Sequence, residues 1–459
     1  RDLRMSRGLG DVYKRQIEVR TYMDYKNKII TVGQALDMVK SGMRIALGDA
    51  TVEPQAFLEN IHTIADRVKD VELTNCLGLR SYPFMENSAY HDSFILRSLF
   101  FSKPTREAEK YLRVSYVPCH LRHTARAILA QGKPDLFVTT CTPPDEEGNM
   151  SIGLSNIYSS DVVKHAKKVI VEINDKMPYT YGNNIINVKD VDYIVPVSYP
   201  LPQDVPPAPN EKDRMIAGHI AEYLKDGDCV QIGIGGIPNS VTEFLAEKKD
   251  LGIHTELLGD GLAKLAMRGV VNGSKKQFMK GKIVTSIVMG TDVVYDFVNK
   301  NPDVYVMSCS KCNDPYTVRK NKNQVSINTT LEVDLTGQAC SEAIGSRQFS
   351  GTGGQADTTI GTQMSKGGRS FLALYSTARV LNKETGEREE ISKIVPQLKP
   401  GATVSLQRND AMYIVTEYGA VNLMGLSVSD RAKKLISIAH PKFREGLTLQ
   451  AKALGLIKE

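Results

Sequence analysis

Short apolar runs that alternate with helical patterns constrain this sequence most strongly. Seven runs rich in β-branched and aromatic residues recur along the chain, at 136–140, 168–172, 193–197, 282–288, 304–307, 371–375 and 412–416. Runs that are this short and this continuously apolar are typical of strands buried on both faces, as in parallel sheets covered by helices. The pattern therefore predicts an α/β fold with open, mainly parallel sheets.

A proline-rich stretch divides the chain into two halves. Five prolines fall between residues 199 and 209, where they fix an extended path that neither a helix nor a central strand tolerates. We therefore predict an N-terminal domain at 17–199, a linker at 200–210 and a C-terminal domain at 211–459. Residues 1–16 begin without Met and resemble a translated leader, so we exclude them from the fold argument.

The two halves repeat one local pattern. A predicted helix ends at Gly42 in the first half and at Gly227 in the second, and an apolar run then ends at Gly48 and at Gly233. The members of each pair are 185 residues apart. This recurrence predicts an internal duplication that gives two similar domains. Ligands of open parallel sheets bind beyond the carboxyl ends of the strands, so the polar loops there are the places to look for a site.

Composition excludes several classes of protein. Hydrophobic residues make up 41% and charged residues 24%, which does not fit a disordered chain, and no apolar stretch reaches the ~18 residues of a membrane-spanning helix. The net charge of +6 falls to +3 without residues 1–16, which is too weak for nucleic-acid binding. Seven cysteines without an export signal predict reduced thiols in a cytoplasmic protein, and the single CxxC at 309–312 lacks a second ligand pair, so we predict no metal site.

The first candidate site is a glycine-rich turn between a predicted strand and a predicted helix. The amides of such a turn, with the positive end of a helix behind them, can hold an anion or a developing oxyanion. A dinucleotide site is an alternative, but Pro238 takes the place of the third glycine that close helix-to-strand contact needs. A purely structural turn is the other alternative. The candidate residues are Gly233, Ile234, Gly235, Gly236 and Ile237.

The second candidate is a carboxylate inside an apolar run. Glu256 lies in the predicted strand at 253–259, which ends at a Gly-Asp-Gly turn. Burial of a carboxylate there costs free energy unless the group is paired or used. Glu256 could be structural, either paired with a basic residue or facing solvent on an edge strand. It could instead be a nucleophile toward an activated acyl group such as a thioester. Glu417, at the end of another predicted strand, is a rival that has no row of glycine amides beside it.

A second glycine-rich stretch lies at 350–357. Glycines permit the backbone to approach a ligand closely, and the strand-like run at 371–375 that follows argues against a flexible linker. Lys366 and Arg369 could meet phosphates there, although basic residues in loops are more often only solvated. The candidate residues of the stretch itself are Gly351, Gly353, Gly354 and Gln355.

Five ordered motifs resemble the acetyl-CoA hydrolase/transferase family, in particular its butyryl-CoA:acetate and 4-hydroxybutyrate CoA-transferases. The motifs are residues 233–238, 252–261, 326–338, 351–355 and 415–419, and the similarity covers the chain from about residue 23 to the C-terminus. The resemblance implies two similar open α/β domains with the active site between them. It also implies that Glu256 carries CoA as a thioester, that both glycine loops contact CoA or the oxyanion, and that Asn328 lies beside the glutamate. Lys366 completes the set of CoA-binding candidates.

The function implied by this resemblance is a ping-pong CoA-transferase. Its partners would be a short-chain acyl-CoA and carboxylates such as acetate, butyrate and 4-hydroxybutyrate, with CoA as a substrate, no permanently bound cofactor, and a homodimer or homotetramer as the assembly. Two alternatives are a short-chain acyl-CoA hydrolase, in which water resolves the thioester, and a non-catalytic CoA-binding protein. Thr358 and Thr359 follow Asp357 where the family usually has an aromatic residue and then Val, which leaves the acyl chain open.

Overall fold

The computed structural model describes residues 25–205, 208–233, 235–382 and 385–458. The predicted leader at 1–16, Pro206, Pro207 and the candidate Ile234 lie outside the described residues. The chain divides into two compact units. The first contains the residues up to Val117, Ala125–Pro202 and Val298–Pro302, and the second contains Pro118–Thr124, Gln203–Phe297 and the residues from Asp303 onward. Two short segments thus group with the unit that is distant in sequence, which linear domain bounds do not represent.

The elements before the proline-rich stretch begin at Val32. The helices are α1 (Val32–Leu36), α2 (Gln55–Asn60), α3 (Lys103–Ala108), α4 (Thr124–Leu129) and α5 (Ser159–Val162). The strands are β1 (Arg44–Leu47), β2 (Val71–Asn75), β3 (Phe94–Ser98), β4 (Arg113–Tyr116), β5 (Leu136–Cys141), β6 (Asn149–Ser151), β7 (Lys168–Asn174), β8 (Tyr181–Gly182), β9 (Ile185–Asn187) and β10 (Tyr193–Val197). Short 3-10 turns lie at Ala50–Val52, Ile61–Ile64, Pro83–Met85, Ser88–Tyr90, Leu121–His123 and Val188–Asp190.

Seven parallel strands form the large sheet of the first unit, in the order β10-β7-β5-β1-β2-β3-β4. β5 is buried along its whole length and β7 from Val169 onward. Both faces of these strands are therefore covered, which explains why the runs are continuously apolar instead of alternating. Leu73 and Val138 from the sheet pack in one core with Leu36 of α1 and Phe57 of α2.

The elements after the proline-rich stretch begin at Glu211. The helices are α6 (Glu211–Ala221), α7 (Gly236–Leu245), α8 (Asp260–Met267), α9 (Asp292–Val298), α10 (Cys309–Cys312), α11 (Pro315–Val318), α12 (Gln355–Met364), α13 (Val428–Ser437) and α14 (Pro441–Ala453). The strands are β11 (Cys229–Ile232), β12 (Gly252–Ile253), β13 (Leu257–Leu258), β14 (Ile283–Thr285), β15 (Ile287–Val288), β16 (Val304–Val306), β17 (Gln324–Thr329), β18 (Glu332–Asp334), β19 (Ala339–Cys340), β20 (Ala343–Ile344), β21 (Arg347–Gln348), β22 (Arg369–Ala373), β23 (Thr377–Leu381), β24 (Arg388–Ser392), β25 (Ile394–Val395), β26 (Tyr413–Thr416) and β27 (Gly419–Asn422).

Six strands form the large sheet of the second unit, in the order β12-β11-β17-β22-β26-β27. The first five are parallel, and β27 returns antiparallel to β26. The carboxyl ends of the parallel strands therefore meet at one edge, the usual place for a ligand in such a sheet. Gly233 directly follows β11, Asn328 is near the end of β17, and Glu417 directly follows β26.

The prediction of an α/β fold with mainly parallel sheets is confirmed, while several strand bounds differ. The strand predicted at 193–197 is β10, but the one predicted at 371–375 starts two residues earlier, at Arg369. The run at 282–288 breaks into β14 and β15, because β14 pairs with β16 whereas β15 pairs with β13. No helix of the described residues has the length and apolar character that a membrane crossing requires.

Truncation of a buried side chain in the first sheet should destabilise the fold strongly. Leu73 is completely buried in the core of the first unit. Leu73→Ala should therefore lower the free energy of unfolding by about 2–5 kcal/mol, measured by urea denaturation, because it removes apolar contacts and leaves a cavity. Leu449→Ala, at a position that is 62% exposed, is the matched control and should change it by less than about 0.5 kcal/mol. Equal effects of the two substitutions would contradict this core assignment.

Candidate active site

Glu256 lies where the chain passes from one sheet to another. β12 pairs with β11 at the edge of the large sheet, and β13 pairs with β15 in a separate two-stranded sheet. Between them, the Glu256 carbonyl accepts hydrogen bonds from the backbone N–H groups of Ser286, at 3.0 Å, and Ile287, at 2.9 Å. The prediction of one continuous strand at 253–259 is therefore wrong. Glu256 occupies a break whose backbone is bonded to the β14–β15 segment instead of to a ladder.

The Glu256 carboxylate is partly buried and has one amide donor. Asn313 Nδ2 donates to Oε2 at 2.7 Å. Burial raises the pKa of Glu256 to about 7, although the hydrogen bond from Asn313 lowers it. Near neutral pH the group therefore exchanges readily between a carboxylic acid and a poorly hydrated carboxylate. Sequence analysis missed Asn313, because it follows the CxxC pattern with no motif of its own.

Gly353 and Gly354, in the second glycine stretch, lie against this carboxylate. We call these two residues the glycine wall. A Cβ atom on Gly354 would lie 1.7 Å from Oε2 of Glu256 and 2.2 Å from Nδ2 of Asn313, so any larger residue would displace these two side chains. Gly353 has a φ of +56°, in the left-handed region that glycine tolerates best. The structure thus brings the predicted loop into direct contact with the predicted glutamate. The side-chain amide of Gln355, by contrast, is hydrogen-bonded within the protein. It donates to the Thr329 carbonyl at 2.7 Å and accepts from Ser341 Oγ at 2.7 Å.

The first glycine turn borders a small cavity that is also lined by Leu257, the residue after Glu256. Gly235 has a φ of +119°, and a Cβ on Gly236 would meet the Asp213 carboxylate at 2.5 Å, so both positions need glycine. α7 starts directly after this turn, with Ile237 buried in its first turn. The cavity has a volume of about 50 Å³. Its lining includes Gly233, Gly235, Pro238, Leu257, Gly259 and Gly261. The turn and the residue after Glu256 therefore face one space.

Asn328 belongs to a different hydrogen-bond network from Glu256. Its Nδ2 atom lies 2.9 Å from Ser326 Oγ and 3.2 Å from Thr358 Oγ1, and its Oδ1 accepts from Gln231 at 3.3 Å. A Cβ on Gly233 would lie 4.0 Å from Asn328 Oδ1. Asn328 is thus a neighbour of the first glycine turn, and the amide that holds the glutamate is that of Asn313. That Asn328 lies beside the glutamate stays an expectation from the family resemblance.

The two basic candidates lie away from the carboxylate. Lys366 is exposed and follows the C-terminal end of α12, whose ten residues span about 15 Å from the end that contacts Glu256. Arg369 starts β22 and is paired with the fully buried Asp228, just before β11. This ion pair lies at the amino ends of the strands, so Arg369 is structural.

Glu417, the rival carboxylate, is held by hydrogen bonds and an ion pair within the fold. It is 3% exposed and accepts hydrogen bonds from the Ser376 N–H and hydroxyl groups, each at 2.8 Å. Lys212 Nζ is 3.0 Å from its carboxylate. Burial raises the pKa of Glu417, but these donors outweigh burial and leave it below its usual value. Hydrogen bonds and the ion pair with Lys212 thus replace the water that the Glu417 carboxylate loses on burial. Glu417 is therefore a weaker nucleophile candidate than Glu256.

The CxxC helix supports the glutamate segment from behind. His254 Nε2 lies 2.8 Å from the Cys312 carbonyl, and Cys312 Sγ donates to the Thr255 carbonyl at 3.3 Å. Burial lowers the pKa of His254 to about 4 and raises that of Cys312 to about 12, so both side chains are neutral near pH 7. Consecutive residues of α10 and its C-terminal neighbour thus hold consecutive residues of the glutamate segment. Within the described residues, no group of three or more His, Cys, Asp or Glu side chains could hold a metal ion.

Two family models match the chain. The acetyl-CoA hydrolase/transferase N-terminal domain matches residues 12–198, and the C-terminal domain of the same family matches residues 290–451. The chain belongs to the acetyl-CoA hydrolase/transferase family. This confirms the resemblance read from the motifs. Residues 199–289, which include Glu256, fall between the two matched ranges.

Similar proteins align across nearly the whole chain, including that interval. A succinyl-CoA:cyclohexane-1-carboxylate CoA transferase of Geobacter metallireducens is 39% identical over 95% of this chain and 97% of its own. A 4-hydroxybutyrate coenzyme A transferase of Clostridium kluyveri is 38% identical over 92% and 97%. The crystal structure of RipA from Yersinia pestis superposes with a TM-score of 0.85 at 33% identity, covering 95% of this chain and all of that one. These matches agree with the observed fold.

Replacement of Glu256 by its neutral isostere should stabilise the protein in a pH-dependent way. The folded-state pKa of about 7 lies above the ordinary 4.5, so between these values the folded wild type keeps a proton that the unfolded chain has lost. Wild-type stability therefore falls as pH rises through this window and levels off above it. The advantage of Glu256→Gln should grow over the same window and reach about 1–3 kcal/mol in urea denaturation. Glu243→Gln, at an exposed site, is the control, and an advantage of Glu256→Gln that stays constant from pH ~4 to ~9 would contradict the assigned environment.

Proposed function

We propose that this chain is a CoA-transferase that moves CoA between a short-chain acyl-CoA and a carboxylate, through a glutamyl-CoA thioester at Glu256. The observation that carries the proposal is the environment of that side chain. Its carboxylate is partly buried, has a pKa raised by burial to about 7, accepts one hydrogen bond from Asn313, and lies against the bare backbone of Gly354. The similar proteins named CoA transferases support the same activity.

The chemistry requires no electron transfer. The Glu256 carboxylate attacks the acyl carbonyl carbon and forms a C–O bond, and the C–S bond breaks. CoA leaves as a thiolate, and Glu256 and the acyl group remain joined as a mixed anhydride. The thiolate then attacks the glutamyl carbonyl carbon, which releases the first carboxylate and leaves glutamyl-CoA. A second carboxylate attacks glutamyl-CoA and expels the thiolate, which takes the new acyl group and restores the Glu256 carboxylate. Each half-reaction exchanges one carboxylate for another, so charge balances.

The residues around Glu256 suit these steps. A partly dehydrated carboxylate is a better nucleophile than one that is fully hydrated. The amide of Asn313 donates to the Glu256 carboxyl oxygen. The negative charge on this carboxyl group is lost when Glu256 attacks the acyl carbon and is restored when Glu256 is released. The neutral His254 and Cys312 carry no charge that would compete with the thiolate or the carboxylate. The chain itself thus supplies the nucleophile and a donor to its carboxyl oxygen.

For the substrates we propose butyryl-CoA or 4-hydroxybutyryl-CoA, with acetate as the other carboxylate. Relatives named 4-hydroxybutyrate coenzyme A transferase and butyryl-CoA:acetate CoA-transferase, at 38% and 33% identity, support this choice. Thr358, at the position where the family usually has an aromatic residue, donates its hydroxyl to the Gly354 carbonyl at 3.0 Å. A cytoplasmic location and a homodimeric or homotetrameric assembly stay predictions from the sequence.

Hydrolysis of the thioester is the second candidate function. Relatives named acetyl-CoA hydrolase are more distant, at 25% identity. In that reaction water would resolve glutamyl-CoA and free thiol would accumulate, whereas transfer conserves the thioester. A non-catalytic CoA-binding protein is the third candidate. The presence of Glu256 as a nucleophile beside the glycine wall argues against it.

Exchange kinetics test the proposal directly. With butyryl-CoA and acetate, wild type should form acetyl-CoA and butyrate in equal amounts, with parallel double-reciprocal lines and no net release of thiol. Glu256→Gln should lose at least about 10³-fold in kcat, because the nucleophile is gone. Glu417→Gln is the matched control for loss of a buried carboxylate and should retain the parallel-line pattern. Release of free thiol without acetyl-CoA would favour the hydrolase, and full activity of Glu256→Gln would refute the proposed nucleophile.

The pH dependence of the reaction should follow the ionisation of Glu256. Only the carboxylate attacks, and burial raises its pKa to about 7. We therefore expect kcat/KM to rise about tenfold per pH unit below that value and to level off above it, since kcat/KM reports the free enzyme. The measurement is a pH series at subsaturating butyryl-CoA. A profile that is already flat at pH 5 would contradict the assigned environment of the nucleophile.

A further inference from the structure

A segment from the first half of the sequence packs beside the glutamate. Pro118–Thr124 groups with the second unit, although the rest of that unit starts at Gln203. Its single 3-10 turn, Leu121–His123, packs against α10. The residue that follows α10 is Asn313, the hydrogen-bond donor to Glu256. The same turn also reaches the glycine wall, since the Leu121 N–H donates to the Gly353 carbonyl at 3.1 Å.

An ion pair fixes this segment to the helix that follows the wall. The Arg122 N–H donates to Asp357 Oδ2 at 3.0 Å, and the Arg122 guanidinium donates to Oδ1 of the same carboxylate. Asp357 is completely buried and the Arg122 side chain is 20% exposed. His120 Nδ1 lies 3.7 Å from Asp357 Oδ1. A charge buried this deeply strongly disfavours any movement that separates it from its partner.

The link from this ion pair to the carboxylate is short. Asp357 lies in the first turn of α12, three residues after Gly354, which caps that helix. Gly354 in turn lies so close to Glu256 that a Cβ would overlap its Oε2 atom, at 1.7 Å. The space beside Gly354 is thus too small for even one added carbon atom, so a shift of the first turn moves the wall away from the carboxylate or against it.

The other end of the wall is anchored to Glu342. Thr352 Oγ1 donates to Glu342 Oε2 at 2.9 Å, and Ser405 Oγ donates to Oε1 at 3.1 Å. The N–H groups of Phe349 and Ser350 donate to the Glu342 carbonyl at 2.8 and 3.0 Å. Gly353 and Gly354 therefore lie between two anchored ends.

We infer that Arg122 and Asp357, together with the Thr352–Glu342 contact, are positioning residues that clamp Gly353 and Gly354 against Glu256 and so fix the orientation of its carboxylate. The inference rests on the proposed function for its effect on turnover. Whether the clamp fixes the surroundings of Glu256 does not depend on that function. None of the four residues contacts the reacting atoms in this account, and each acts through the glycine wall.

Two readouts in the full chain distinguish positioning from general stabilisation. The first is the kcat and KM of butyryl-CoA:acetate exchange. The second is the titration of Glu256 itself, followed as the carboxyl infrared band that disappears in Glu256→Gln. Loosening the wall admits water, which favours the charged form, so the pKa of Glu256 should move from about 7 toward its ordinary value. A purely structural pair would leave this titration unchanged.

Arg122→Gln is the main variant, and Arg369→Gln is its matched control. Both remove the arginine of a buried Arg–Asp pair in the second unit, but Arg369 and Asp228 lie at the amino ends of β22 and β11, away from the wall. We expect Arg122→Gln to lower kcat about 10–100-fold with KM within about threefold, and Arg122→Lys to recover part of the loss. The control should keep kcat within about twofold and leave the Glu256 titration unchanged, even where its Tm falls equally.

The outcomes separate the inference from the proposed function. If Arg122→Gln matches Arg369→Gln in both kcat and Glu256 titration, the clamp is refuted. If Arg122→Gln does not fold, Thr352→Val tests the other anchor, and unchanged kcat and titration in that variant refute the clamp as well. If wild type shows no exchange, the proposed function fails, while the infrared titration of the variants still decides whether the clamp sets the surroundings of Glu256.

Discussion

Glu256 holds its carboxylate against the backbone of Gly354 on one side and the amide of Asn313 on the other. Ionisation in such a place costs free energy, which appears as a pKa raised by burial to about 7. The neighbouring parts of the site follow from this cost. A side chain on Gly354 would occupy the position of the carboxylate, and without the Asn313 amide the ionised form would lose the hydrogen bond that Asn313 donates to it.

The break between β12 and β13 explains how an α/β fold can present such a group. In a continuous central strand, the Glu256 side chain would point into one of the packed faces of the sheet. Here the backbone changes partners from β11 to β15, and the Glu256 carbonyl is satisfied by Ser286 and Ile287. The backbone therefore keeps its hydrogen bonds while the side chain turns toward the glycine wall. The two residues before Glu256, His254 and Thr255, are held in place by their hydrogen bonds to Cys312.

The parts of this account that sequence could predict are those that depend on local patterns. Continuous apolar runs identified the parallel strands, because burial on both faces leaves a signal in every residue of a strand such as β5. Glu256 and Gly354 were found through their motifs. Asn313 was missed, because its contact with Glu256 depends on how α10 packs on the glutamate segment. The grouping of Pro118–Thr124 with the second unit was also out of reach, since it is a tertiary contact with no periodic signal.

Peptide-level mass spectrometry shows directly whether Glu256 becomes covalently attached to CoA. The protein is mixed with butyryl-CoA without a second carboxylate, digested at mildly acidic pH, and searched for a CoA-sized addition. The addition should map to Glu256, disappear when acetate is added, and be absent from Glu256→Gln. A CoA adduct on any other residue, or rapid exchange by a wild type in which no adduct can be trapped at Glu256, would contradict this attachment.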